Sequence, residues 1–78
     1  MKNFSYNRRN GVHFTIWMTG FYAENKNLSS AEVYQLFEKY GVFEYLYEFW
    51  EPLHSVTPYY VLGDIDEFIE IRRGNAKS

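Results

Sequence analysis

The chain has 78 residues, a formal charge of −2 and no cysteine, which excludes a disulfide framework and a thiolate metal site and leaves a single domain over 1–78 to hold itself by packing. No run of about 18 apolar residues could span a membrane and no signal-peptide pattern opens the chain, so the expected location is the cytoplasm, while an acidic balance gives no general attraction to nucleic acid. Eight tyrosines, seven phenylalanines and two tryptophans are more ring surface than so small a core readily encloses, at roughly 150–250 Å² each, and point to an interface.

Residues 1–10 and 74–78 are polar and without period, so the ordered core is expected over about 12–73 with frayed ends. Arg8-Arg9 and Arg72-Arg73 read as solvated pairs. From His13 to Tyr22 the apolar residues Phe14, Trp17, Met18 and Phe21 keep three- and four-residue spacing, which predicts a first helix in spite of Gly20. AENKN reads as a polar connection. In LSSAEV, Ser29 stands three residues before Glu32 and Leu28 precedes Val33 at staple spacing, so a second helix starts here. Val33, Leu36, Phe37 and Tyr40 form its buried stripe, and Gly41 can take the left-handed conformation that ends it.

VFEYLYEFWEPLH, residues 42–54, admits two readings. As a strand, Phe43, Tyr45, Tyr47 and Phe49 would line one face. As a helix, Glu44, Glu48 and Glu51 fall at i, i+4 and i+7 in one acidic stripe. The length and the single β-branched residue favour a helix over 42–51, stopped or kinked by Pro52. On it Phe43, Leu46, Tyr47 and Trp50 share one face, and Val42, Tyr45 and Phe49 another. SVTP then reads as a loop and YYVL, residues 59–62, as a short extended segment. GDIDEFIEIRRG predicts a last helix with Asp64 as N-cap, Glu67 three residues on, Arg72 and Arg73 in the final turn, and Ile65, Phe68 and Ile69 as core face. The predicted fold is all-α: a small irregular bundle of about four short helices around Val33, Leu36, Phe37, Leu46, Trp50, Ile65, Phe68 and Ile69.

Asn27-Leu28-Ser29, Glu32-Val33, Leu36-Phe37, Lys39-Tyr40, Leu53-His54 and Asp64-Ile65-Asp66, in this order and spacing over about residues 14–73, resemble a family of short bacterial proteins known as domain of unknown function 3791. Pro52 and Pro58 depart from its pattern, Pro52 where members continue the helix. The resemblance implies a bacterial, mobile-element-like setting beside proteins similar to ADP-ribosyltransferases, with the chain as an antitoxin-like or accessory partner.

Chemistry finds little support in the residues. His54 with Glu51 and Asp64 or Asp66 could form an acid–base cluster, but a histidine at a helix end more simply caps carbonyls. Asp64, Asp66 and Glu70 lack the further ligands of a calcium loop, and Ser29 and Ser30 have no paired base. A helix-turn-helix over Ser29–Trp50 would face phosphate with glutamates. The expectation is a non-catalytic protein-binding module without cofactor or metal, meeting a protein partner or a second copy of itself. Tyr45 and Phe49 would be its anchors, and Glu44, Glu48 and Glu51 its steering charges.

Overall fold

A computed structural model describes the backbone of residues 4–74 and the side chains of residues 9–74. Among these the chain forms five helices and no strand: α1 (Phe4–Lys26), α2 (Ser30–Tyr40), α3 (Val42–Glu48), α4 (Trp50–Leu53) and α5 (Pro58–Gly74). The all-α bundle is as expected, with one more helix because the third divides. The radius of gyration is 13.1 Å, against about 11.5 Å for a compact chain of this length. The molecule is therefore elongated, with a long axis of 46 Å.

α1 starts nine residues before the expected His13 and runs through the supposed connection to Lys26. It ends at Asn27, whose φ of 61° is the left-handed turn that asparagine tolerates, and the Leu28 amide closes back onto the Ala23 carbonyl at 2.9 Å. Packing overrides the low helix propensity of Gly11. A Cβ there would stand 2.9 Å from the Tyr47 ring and 3.2 Å from Trp50, so only glycine lets α3 and α4 cross α1 this closely.

α2 follows its sequence signals. Ser29 Oγ accepts from the Glu32 amide at 3.1 Å and the Glu32 carboxylate accepts from the Ser29 amide at 2.8 Å, which satisfies two otherwise orphaned donors. Gly41, at φ 75°, ends the helix with its amide on the Phe37 carbonyl and alone links α2 to α3. Val33 and Phe37 are fully buried, whereas Leu36 and Tyr40 pack half-buried at the edge of the core.

The third predicted helix breaks at Phe49 (φ −109°, ψ 25°). Pro52 has no amide to offer the Glu48 carbonyl and its ring crowds that position. The chain kinks there and restarts as α4, whose third residue is Pro52 and therefore needs no intrahelical donor. The Leu53 amide then reaches the Phe49 carbonyl at 3.1 Å.

α5 corrects two expectations. YYVL is helical rather than extended, and Asp64 lies inside the helix rather than at its cap. Thr57 is the cap, its hydroxyl accepting from the Tyr59 amide at 3.1 Å, with Pro58 preset for the first helical position. Val61, Ile65 and Ile69, at i, i+4 and i+8, are its buried edge.

The core joins Met18, Tyr22 and Ala23 of α1 to Val33 and Phe37 of α2, Val42 and Leu46 of α3, Leu53 of α4, and the α5 edge. Phe68 packs half-buried against it, and Trp50 is half-buried beside α1 rather than central. Tyr22 donates a 2.7 Å hydrogen bond to the Asp66 carboxylate, which also pairs with Lys26. This cluster ties the end of α1 to the middle of α5.

Candidate functional site

The five residues expected to meet a partner are divided by the fold. Glu44 and Glu48 are exposed on α3, and Glu51 is exposed on α4 beyond the kink. Phe49, at the kink, is 50% exposed and tilts towards Tyr45 at 5.6 Å between ring centres. Tyr45 is not the free anchor it was expected to be. Its ring stacks on Phe68 at 4.6 Å and 21°, and burial, followed by the nearby charges of Asp64, Tyr60 and Glu67, pushes its phenol above the ordinary range. The reason is the length of α5, which carries Phe68 back across α3 and takes Tyr45 into internal packing.

The basic pair at the end of α5 is engaged rather than merely solvated. The Arg72 guanidinium lies 4.4 Å from the Phe68 ring centre. Arg73 meets Glu70 at 3.0 Å and stands over Tyr40 at 5.6 Å. The guanidinium beside the phenol lowers the Tyr40 pKa, and the phenol raises that of Arg73.

His54 is exposed, with Nδ1 2.7 Å from the Glu51 carbonyl and 3.2 Å from the Trp50 carbonyl. Those are main-chain acceptors at the end of α4. Among the described residues no hydrogen bond or ion pair joins His54 to a carboxylate, and Asp66 is held by Tyr22 and Lys26 instead. No group of three or more metal-ligating side chains comes together among them either.

A different surface gathers the unspent apolar area. An open groove of about 650 Å³ runs between α1 and the α2–α3 elbow, walled by Val12, Thr15, Ile16 and Thr19 on one side and Tyr34, Phe43 and Tyr47 on the other. Ile16 is 65% and Tyr34 54% exposed. The threonines do not make it polar. Thr15 and Thr19 each donate their hydroxyl to the carbonyl four residues back at 2.7 Å, which leaves their hydroxyls bonded to the helix itself. Tyr34 meets Phe43 edge-on at 5.2 Å, Phe43 meets Phe37 at 5.6 Å, and Phe37 meets Tyr22 at 5.0 Å. The groove wall is thus continuous with the core and held in shape by it.

On the other flank of α1, Trp17 stacks on Phe21 at 4.9 Å and Phe21 meets Tyr59 edge-on at 5.3 Å. Trp17, one of the residues whose spacing predicts the first helix, is 54% exposed. The outer side of α1 is therefore apolar along both edges. One signal in the sequence marks it: the fourteen residues from Asn10 to Ala23 contain no Asp, Glu, Lys or Arg, although a helix packed on one side ordinarily turns charges to the other.

The family model described as a protein of unknown function (DUF3791) matches residues 13–72. The chain belongs to this family. No curated protein and no solved structure matches it. The match spans α1 from His13 to the last turn of α5, and so includes most of the groove along with the core that supports it. No helix among the described residues is long and apolar enough to cross a membrane.

Proposed function

We propose that this DUF3791 chain is a protein-binding module whose contact face is the outer side of α1 with the groove beside it. The observation that carries this reading is Ile16, 65% exposed in the middle of the charge-free stretch and bordering the open groove. Isolated apolar residues on a surface need no explanation, but a contiguous patch does. Tyr34 and Tyr47 supply the large, rigid rings that dominate interface energies, and the groove between helices is of a shape that accepts a helix. A membrane surface is a poorer fit, because interfacial helices flank their apolar side with lysine and arginine, and among the described residues α1 offers only Arg9 and Lys26, the second already paired with Asp66. An antitoxin-like or accessory role beside an ADP-ribosyltransferase-like protein, in a bacterial cytoplasm, is one form that such binding would take.

The corner formed by Phe49, Glu48 and Glu51 is the second reading, favoured by the exposure of Phe49. Placing a photo-crosslinking residue at Tyr34 or at Glu48 in living cells separates the two. The expected result is a covalent protein adduct from position 34 and none from position 48. Adducts from position 48 alone would move the contact face to the α3–α4 corner, and none from either would overturn the function.

A further inference from the structure

We infer that α1 pairs antiparallel with α1 of a second copy of this chain, centred between Ile16 and Trp17. This deepens the proposed function and rests on its reading of α1 as the contact face. At 100° per residue, Arg9, His13, Ile16, Gly20 and Glu24 fall on one side of the helix, and all five are exposed. They point away from Met18 and Tyr22, which enter the core. The stripe has a basic end, an uncharged middle and an acidic end, with Arg9 and Glu24 about 22 Å apart along the axis.

That pattern is complementary to itself only when reversed. About a centre at Ile16–Trp17, an antiparallel copy sets Arg9 against Glu24, His13 against Gly20 and Ile16 against Trp17, and the two-fold axis repeats each contact. A parallel copy would set Arg9 against Arg9 and Glu24 against Glu24, which repels at both ends. Among the described residues neither Arg9 nor Glu24 takes part in an ion pair within the chain, so both are available. Gly20 shapes the contact. It has open space around its Cα, and a Cβ built there meets nothing within 4 Å, so the helix surface dips where His13 of the second copy would lie. The groove bordered by Tyr34 and Tyr47 flanks the pairing line on one side, and the Trp17–Phe21–Tyr59 ridge flanks it on the other.

Sedimentation equilibrium of the full chain over a dilution series reads the pairing directly. A dimer is expected. Arg9→Glu alone and Glu24→Arg alone should each raise its Kd about tenfold, since each turns both symmetric pairs repulsive, and the two together should return it to within about threefold of the original. Gly20→Leu should also weaken the dimer while the helix content and thermal midpoint of the dissociated chain hold steady or rise, leucine being the better helix former, which separates lost pairing from lost folding. A chain that is monomeric at every concentration would overturn the inference, as would a dimer that the double reversal fails to restore. If that monomer still crosslinks to a different protein from position 34, the second copy is excluded and the proposed function stands.

Discussion

α1 and α2 are opposite ways of making a helix from a sequence rich in rings. α2 carries Glu32, Gln35, Glu38 and Lys39 outward and buries Val33 and Phe37, so the apolar stripe and the polar face are both accounted for within the domain. α1 buries Met18, Tyr22 and Ala23 on one side, yet on the other it shows Val12, Ile16 and Trp17 to solvent with no charge among them. The contrast separates two uses of apolar residues. In α2 the large ones other than Tyr34 make the fold, and in α1 Val12, Ile16 and Trp17 are surplus to it.

The largest expected effect tests the α2 side. Phe37→Ala removes a fully buried ring that touches Tyr22 and Phe43 and should cost about 3–5 kcal/mol, a large part of the roughly 4–12 kcal/mol available to a domain of this length. Chemical denaturation would measure it, and a cost below about 1 kcal/mol would show that the α2 core is not what holds the fold.

Tyr22→Phe addresses the buried side of α1 through its hydrogen bond to Asp66. Bonds to a charged group contribute about 1.5–3 kcal/mol, and the partial exposure of Asp66 places the expected cost at the low end, about 1–2 kcal/mol. The change also has a pH signature. Burial first, and then the Asp66 hydrogen bond, raise the Tyr22 phenol well above its ordinary value. Its contribution is therefore fully present below the unfolded tyrosine value near 10 and is lost as pH rises from there towards the raised folded value. Denaturation midpoints from pH 8 to about 11 should fall more steeply for the parent chain than for Tyr22→Phe, and parallel curves would contradict this assignment.

Ser29→Ala removes the side-chain half of the α2 capping box and should cost about 1 kcal/mol. Smallest of all, Ile16→Gln should change the stability of the isolated domain by less than about 0.5 kcal/mol, because the side chain is largely outside the core. The same change should reduce association, and that pairing of a silent fold with a weakened contact is what distinguishes the outer face of α1 from Phe37.

What could be read from the sequence follows the range of the interactions involved. The limits of α2 were legible because Ser29, Glu32 and Gly41 act within a few residues of themselves. The start of α5 was not, because Gly63-Asp64 imitates a helix entry, while the operative pair, Thr57 and Pro58, lies in a stretch that resembles a loop. The i, i+4, i+8 spacing of Val61, Ile65 and Ile69 was the signal against a start at Asp64. A stop or kink at Pro52 was expected and the break falls three residues earlier, at Phe49, but the sorting of rings between the two faces of α3 was not recoverable locally. Tyr47 lies over Gly11 and Tyr45 under Phe68, contacts more than twenty residues apart in the chain. The candidate groove was missed for a related reason: it forms only where α1 meets the α2–α3 elbow, and the absence of charge from Asn10 to Ala23 was its one local sign.

The tie between Tyr22, Lys26 and Asp66 also bears on the order in which the structure forms. The capped turns and the Gly41 elbow close within a few residues and can form at the rate of local helix growth. The Asp66 contacts span 40 and 44 residues and carry a loop-closure cost that is met only once both helices are in place. Docking of α5 is thus expected after the barrier to folding, so weakening this tie should leave the folding rate nearly unchanged and shorten the lifetime of the folded state.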